Sequence, residues 1–393
     1  MFFFVPVLVA LFLAVASVEA KGGERGITIP LTRRDSGLSF GQEIDLKLFV
    51  AQMHRVEQKY KKSLDNYKAR TGHQNPLFRA IAELIKRDTT SIHLSIYGDG
   101  QLWTGPVTVG GQKFELDFDT GSADVIVNPG AYDPIKSSAS KKTKAKFSTA
   151  YADGTSSDGY VYTDSFKLGN INAKNVAIGR SDKVFVKGEG KSEGIAGLSF
   201  QSISTFPSNK YKPFFDTLAD QHAISSKKFQ FSLDRFGGEL HFGGIDHSKI
   251  KGDISWSDVN ADHGFWATDM KVNGQNFIGI VDSGSSIISG PTDQVRKFFK
   301  SLQGIQTFTQ GGSLFGAYDC FKPPKVEFEI GGKKFPLGHD VMSFGMAGGK
   351  CVLSVNGMDG IPMNAWIVGD TLFMNNVVIF DADKKRVGFA KRR

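Results

Sequence analysis

Two aspartates in this 393-residue chain stand in nearly the same short context. The first lies in Phe118-Asp119-Thr120-Gly121-Ser122-Ala123-Asp124, the second in Val281-Asp282-Ser283-Gly284-Ser285-Ser286. Each follows an apolar strand-like stretch, Phe114-Glu115-Leu116 or Phe277-Ile278-Gly279-Ile280. Each is also followed, 78 or 87 residues on, by the glycine of a second shared element, Ile195-Ala196-Gly197 or Ile367-Val368-Gly369. A single Asp-x-Gly-Ser is an ordinary strand-end turn. Two in the same order, each with the same distant companion, mark an internal repeat and two lobes related by an approximate two-fold axis.

Two-fold apposition would bring Asp119 and Asp282 together at the junction between the lobes. Unit charges about 3 Å apart repel by about 5 kcal/mol at an effective dielectric near 20, which is several pKa units. Such a pair holds one proton between its members and titrates as a unit.

Short β-branched and aromatic strands punctuated by Gly, Asn-Pro-Gly and Asp-Gly turns must position the pair. They run from Asp88 onward, as in Leu102–Val109 and Lys113–Phe118. Helical stretches are few in this part, Pro213–Asp220 being one and Thr292–Leu302 another. The body is therefore all-β with short outer helices. An apolar content of 40% and a charged content of 22% exclude a disordered chain.

Two segments precede this body. Residues 1–20, MFFFVPVLVALFLAVASVEA, read as a signal peptide ending in a small-residue cleavage site, with a membrane anchor as the alternative. The apolar run is short for a span and no basic stop-transfer cluster follows it, so no stable membrane anchor is expected. Residues 21–87 are basic, and from Asp45 to Lys86 they carry apolar residues such as Leu46, Leu48, Phe49 and Met53 at helical spacing. The segment ends at Lys86-Arg87, read as a dibasic processing site, with Arg33-Arg34 and Lys61-Lys62 as competitors.

The chain is identified by resemblance with the secreted fungal pepsin-like aspartic endopeptidases, from about Gln101 to Ala390. Both Asp-x-Gly-Ser stretches match that family's signatures. Tyr151-Ala152-Asp153-Gly154-Thr155 is similar to its flap hairpin, Gly237–Asp246 to a strand pair, and Ile367–Ala390 to its C-terminal signature. A cut after Arg87 makes Asp119 the thirty-second residue of the mature chain, about where the family places it. A dyad sharing one proton is this family's established behaviour.

The resemblance implies a bilobal pepsin-like fold: a lobe over 88–250 carrying Asp119 and the flap, and a lobe over 251–393 carrying Asp282. It implies acid hydrolysis of protein and peptide substrates by a water held between Asp119 and Asp282. Ser122 and Ser285 would hydrogen-bond the carboxylates, Thr120 and Ser283 would brace the two loops, and Gly121 and Gly284 would shape them. Tyr151, Asp153 and Gly154 would cover the substrate. Cys320 and Cys351 would pair in the second lobe, as suits an oxidising compartment. Ile126 stands where many relatives carry a tryptophan, Ala152 replaces a more usual glycine, and Ser283 the commoner threonine. Asp153 matches flaps of fungal members that tolerate Lys before the scissile bond.

No cofactor or metal is expected. Gly190-Lys191-Ser192 lacks the glycine a phosphate loop needs, since Phe185 stands there, and no His-Glu-x-x-His or glycosylation sequon occurs. Two readings stay open: an active monomeric endopeptidase, and a silent homologue acting as a secreted binding module. Vacuolar rather than extracellular destination is a further alternative.

The net charge of +8 first invites a nucleic-acid partner, but it is unevenly placed. Residues 1–87 hold 14 Lys and Arg against 8 Asp and Glu, whereas residues 88–393 hold 34 against 32. Six of those later cations fall in Lys384–Arg393, which leaves the rest of the mature body near −4. The pattern reads as a basic prosegment over an acidic cleft, an intramolecular inhibitor rather than a nucleic-acid surface. Lys47 is the expected lysine at the dyad.

Overall fold

The structure is a computed structural model that describes residues 26–33, 43–44, 46–79, 103–150, 156–183, 192–207, 209–234, 237–361 and 363–393. The expected signal peptide, Lys86-Arg87 and the flap residues Tyr151, Ala152, Asp153 and Gly154 lie outside these. Among the described residues the strands form one sheet of thirteen and one of ten.

The repeat read from the sequence is a repeat in sheet topology. In the first half, Gln112–Asp119 runs parallel to Ser192–Gly197, with Asp119 opposite Gly197. Ser192–Gly197 pairs antiparallel with Val125–Val127, which runs parallel to Ile171–Ser181. In the second half, Gln275–Val281 runs parallel to Trp366–Val368. Trp366–Val368 pairs antiparallel with Ile288–Gly290, which runs parallel to Lys350–Gly357. The connection after each aspartate passes close over the glycine of the shared downstream element. A Cβ on Gly197 would lie 2.5 Å from the Asp124 nitrogen, and one on Gly369 would meet the Ser285 and Ile287 carbonyls. That close passage is why both repeats of the element end in glycine.

The two halves share strands. Asn376–Asp381 pairs with Lys228–Asp234 of the first half, and Arg386–Arg392 pairs with Ile250–Asp258. The expected lobe boundary at residue 250 coincides with the first residue of that last strand. Packed phenylalanines form the core here: Phe229 stacks on Phe380 with centroids 4.6 Å apart, and Phe231, Phe242, Phe373 and Trp266 close around them. The abundance of Phe is spent on this seam, where large flat rings fill the space between layers.

The segment ahead of the body differs in part from expectation. Its helix covers Leu46–Thr71 rather than continuing to Lys86, and stops in front of Gly72. Residues 26–33, given no strand by local reading, contain the strand Ile27–Arg33. That strand pairs with Gly237–Phe242 along five residues and with Trp103–Val109 at Thr32 and Arg33. It thus links the first-half strands to the shared ones. The helices Phe214–Asp220 and Thr292–Ser301 fall where the sequence placed them.

Candidate active site

The two aspartate loops meet face to face and are bound by a reciprocal brace. The Thr120 amide donates to Ser283 Oγ at 3.1 Å, and the Ser283 amide donates to Thr120 Oγ1 at 2.9 Å. Each hydroxyl then donates across the junction, Thr120 to the Val281 carbonyl at 2.9 Å and Ser283 to the Phe118 carbonyl at 2.8 Å. All four partners are buried, so the brace is satisfied without water. Each carboxylate is oriented by its own loop: the Gly121 amide donates to Asp119 Oδ1 at 2.8 Å and the Gly284 amide to Asp282 Oδ1 at 2.9 Å. A Cβ on Gly121 would stand 2.6 Å from Asp282 Oδ1, and one on Gly284 would strike Asp119 Oδ1. The carboxylates can approach only because both loops carry glycine there.

The symmetry is incomplete at the serines. Ser285 Oγ donates to Asp282 Oδ2 at 2.6 Å. Ser122 lies close enough to Asp119 for its hydroxyl to favour the charged carboxylate, yet without a hydrogen bond of ordinary geometry. The first loop is also held from behind by Asp124, a buried carboxylate that accepts from Ser204 Oγ at 2.5 Å and from the Thr205 amide and hydroxyl at 2.6 and 2.8 Å.

The long helix Leu46–Thr71 crosses the pair. Phe49 and Val50 are buried, and from Val50 on Met53, Glu57, Tyr60, Leu64 and Tyr67 follow at alternating spacings of three and four, the stripe of a helix lying on a surface. Lys59 projects between the aspartates, its Nζ 3.1 Å from Asp119 Oδ1 and 2.8 Å from Asp282 Oδ2. Tyr60 Oη donates to the same Asp282 Oδ2 at 2.9 Å, its ring resting on Phe265 with centroids 5.2 Å apart. Further along, Asn66 Nδ2 donates to the Ile203 carbonyl, and Arg70 donates to the carbonyls of Ser204 and Phe206 and to Asn209 Oδ1.

The lysine at the pair is therefore Lys59, not Lys47, which is the second residue of the helix, twelve residues earlier. Lys59-Tyr60 was not singled out by the sequence, where Lys61-Lys62 stood only as a competing dibasic pair. The stripe through Met53, Tyr60 and Tyr67 was the usable signal: it fixes the buried face and puts Lys59 at its margin.

Electrostatics distinguish the two carboxyls. Burial raises both; on Asp119 it outweighs Lys59 and, with the like charge of Asp282, keeps the pKa above the ordinary value. On Asp282 burial is overcome by the Lys59 ammonium and by hydrogen bonds from the pair, Lys59 and Ser285, which bring it down to about 2. Burial weighs against the Lys59 charge, but the two carboxylates prevail and its pKa lies above the usual lysine value. Burial, then the two carboxylates, push the Tyr60 phenol well up, so it stays a donor. In this closed form the pair thus presents one ready anion and one carboxyl that takes a proton early.

Cys320 and Cys351 are joined, with S–S 2.04 Å, between the turn after Ser313–Tyr318 and the start of Lys350–Gly357.

Residues 102–392 match the family model described as eukaryotic aspartyl protease. The chain is 45% identical over 98% of its length to secreted aspartyl protease 1 of Malassezia globosa, of which it covers 96%. It is 30% identical over 78% of its length to an aspartic protease of Phaffia rhodozyma, of which it covers 80%. The aspartic proteinase of Irpex lacteus shares the fold, with a TM-score of 0.63 at 23% identity over 74% of this chain and 94% of that one. The chain belongs to the eukaryotic aspartyl proteases. It is an aspartic endopeptidase that hydrolyses peptide bonds in acid through a pair of aspartates and is made as a zymogen.

Proposed function

We propose that Asp119 and Asp282 are the catalytic pair, that residues 21–87 are the inhibitory prosegment, and that Lys59 is the group that silences the pair. One observation carries the reading: a single ammonium lies within 3.1 Å of Asp119 and 2.8 Å of Asp282, inside a brace made by Thr120 and Ser283. A cation there neutralises the general base and fills the position where a substrate carbonyl and its attacking water must meet.

Once the helix leaves, a water takes the place of the ammonium. The ionised carboxylate removes its proton as the oxygen attacks the scissile carbonyl carbon, while the protonated carboxyl donates to the carbonyl oxygen. The result is a tetrahedral diol. Its collapse breaks the C–N bond: the proton on the former base passes to the departing nitrogen while a diol hydroxyl returns a proton to the carboxylate that had donated, leaving an amine, a carboxylic acid and a pair that again holds one proton. Loss of Lys59 and Tyr60 removes two donors from Asp282 and brings the two carboxyls nearer to equal, as a shared proton requires.

Ser122 turning toward Asp119 would complete the symmetry with Ser285. Tyr151, Asp153 and Gly154 act as the flap that shuts water out over the substrate. Processing falls after Lys86-Arg87. The substrates are proteins and peptides, and the enzyme works as a secreted monomer in the extracellular space. The identity with a relative called secreted supports that destination over the vacuole.

The test is digestion of denatured haemoglobin between pH 3 and 7 by the mature enzyme, with and without pepstatin, beside Asp119→Asn. The wild type should cut in acid, and pepstatin or the substitution should each abolish cutting. Activity surviving both would reject the assignment.

A further inference from the structure

The outermost strand of the thirteen-stranded sheet, Lys141–Ala150, pairs only with Ser156–Leu168 among the described strands. Lys136, Lys141, Lys142, Lys144 and Lys146 fall within eleven residues at its start, all exposed, with no acidic residue among them. Lys136 comes within 3.9 Å of Asp133, and the other four make no ion pair among the described residues. Lys142 and Lys146 lie over the same ring, their Nζ atoms 3.8 and 5.3 Å from the centre of Tyr160. The charge is local. Taking these five from the 34 Lys and Arg of residues 88–393 leaves 29 against 32 Asp and Glu.

Beside the lysines an apolar side chain is held out into water. Ile135, in the single helical turn Pro134–Lys136, is 93% exposed. The turn that carries it is firmly built. The Ile135 amide donates to Asp133 Oδ1 at 3.1 Å, and the Gln112 side chain clamps the Asp133 backbone at 2.9 Å on the carbonyl and 3.0 Å on the nitrogen. Behind it the buried Asp164 accepts from Tyr132 Oη at 2.7 Å and from Ser137 Oγ at 2.8 Å. Lysine on an edge strand guards a sheet against the addition of further strands. That role does not account for an isoleucine fixed in full exposure next to the same lysines.

We propose that this corner docks the mature enzyme reversibly on an anionic phospholipid bilayer, the lysines meeting headgroup phosphates and Ile135 entering the acyl boundary. Phosphodiesters keep their charge in the acid range where the enzyme works, whereas the carboxylates of an acidic protein take up protons there. A nucleic acid or a sulfated polymer would use the lysines but offers no apolar phase to Ile135. Lys142 also already covers the Tyr160 ring on which a base would stack. The contact needs neither aspartate, so cleavage of a peptide in solution is independent of it.

The test is co-sedimentation of the mature enzyme with vesicles in mildly acid buffer of low salt. Vesicles of phosphatidylglycerol mixed with phosphatidylcholine should carry the enzyme down, vesicles of phosphatidylcholine alone should not, and about 0.5 M salt should release it. Lys141→Gln combined with Lys144→Gln should weaken vesicle binding roughly twenty-fold, at about five-fold for each lysine, and Lys141→Arg with Lys144→Arg should retain it. Ile135→Ser should weaken vesicle binding roughly ten-fold while its retention on immobilised heparin stays that of the wild type. All of these variants should cleave a soluble peptide at the wild-type rate, which shows them folded. Equal sedimentation with neutral and anionic vesicles, or none with either, would overturn the inference. So would vesicle binding that ignores the loss of the two lysines. An Ile135→Ser enzyme that binds anionic vesicles as tightly as the wild type would overturn it too, and would leave a polyanionic polymer as the partner.

Discussion

Single atoms decide whether the two carboxylates can meet. Gly121 and Gly284 leave no room for a methyl group, because the opposite carboxylate already occupies it. Gly121→Ala should therefore splay the loops by some tenths of an ångström to an ångström. A misplacement of that order costs about 100-fold in rate. The expected result is kcat/KM reduced about 100-fold or more, with the disulfide and melting behaviour of the distant second half retained. Activity within a few-fold of wild type would mean the aspartates do not approach as described. At this scale the sequence was highly informative. Both aspartates and both glycines were readable from the repeated tetrapeptides, because local turn chemistry and the repeat each demanded them, while the bracing hydroxyls of Thr120 and Ser283 came from the family resemblance. Lys59 was not readable in the same way. A lysine on an amphipathic helix looks alike whether it faces water or a carboxylate, and only the docked position of the helix separates the two.

At the scale of elements, the long helix owes its existence to docking. An isolated helix of 26 residues with Lys, Asn and Tyr along it has little stability in water, and its buried stripe supplies what propensity does not. Leu64 is 3% exposed within that stripe. Leu64→Ala should weaken docking by about 2–4 kcal/mol, read as a lower melting temperature of the precursor and faster hydrogen exchange in residues 46–71. The mature enzyme, which lacks the residue, should not be affected. Helix protection equal to that of the wild type would show that the stripe does not hold it. The strand Ile27–Arg33 was invisible to local reading for the converse reason. Its partners, Gly237–Phe242 and Trp103–Val109, are 70 or more residues distant, and a seven-residue run carries no record of them.

On the scale of the whole molecule, the closed form is a linked proton equilibrium. Asp282 has a depressed pKa, so the stability it contributes is present above its free value of 3.8 and disappears as pH falls toward about 2. That difference corresponds to about 2 kcal/mol. Asp119 has a raised pKa and takes its proton above 3.8, which relieves its own burial but weakens its hold on Lys59 first. Lys59, with its pKa raised above 10.5, keeps its own charge at every pH below that value and loses it only in alkali. The precursor should therefore stay closed at neutral pH and open in acid in two overlapping steps, Asp119 taking its proton first and Asp282 only as pH falls toward about 2.

The central claim is that Lys59 holds the aspartates and thereby sets that acid limit, and one titration addresses it directly. The precursor, with Lys86 and Arg87 replaced by alanine to prevent conversion, is titrated from pH 7 to pH 2 beside the same protein carrying Lys59→Met. Opening is followed by pepstatin binding. Removing one partner of a buried ion pair leaves the other charges uncompensated, at a cost of about 3–5 kcal/mol. The Lys59→Met precursor should accordingly bind pepstatin at least one pH unit higher than its parent. Coincident titration curves for the two proteins would contradict the account.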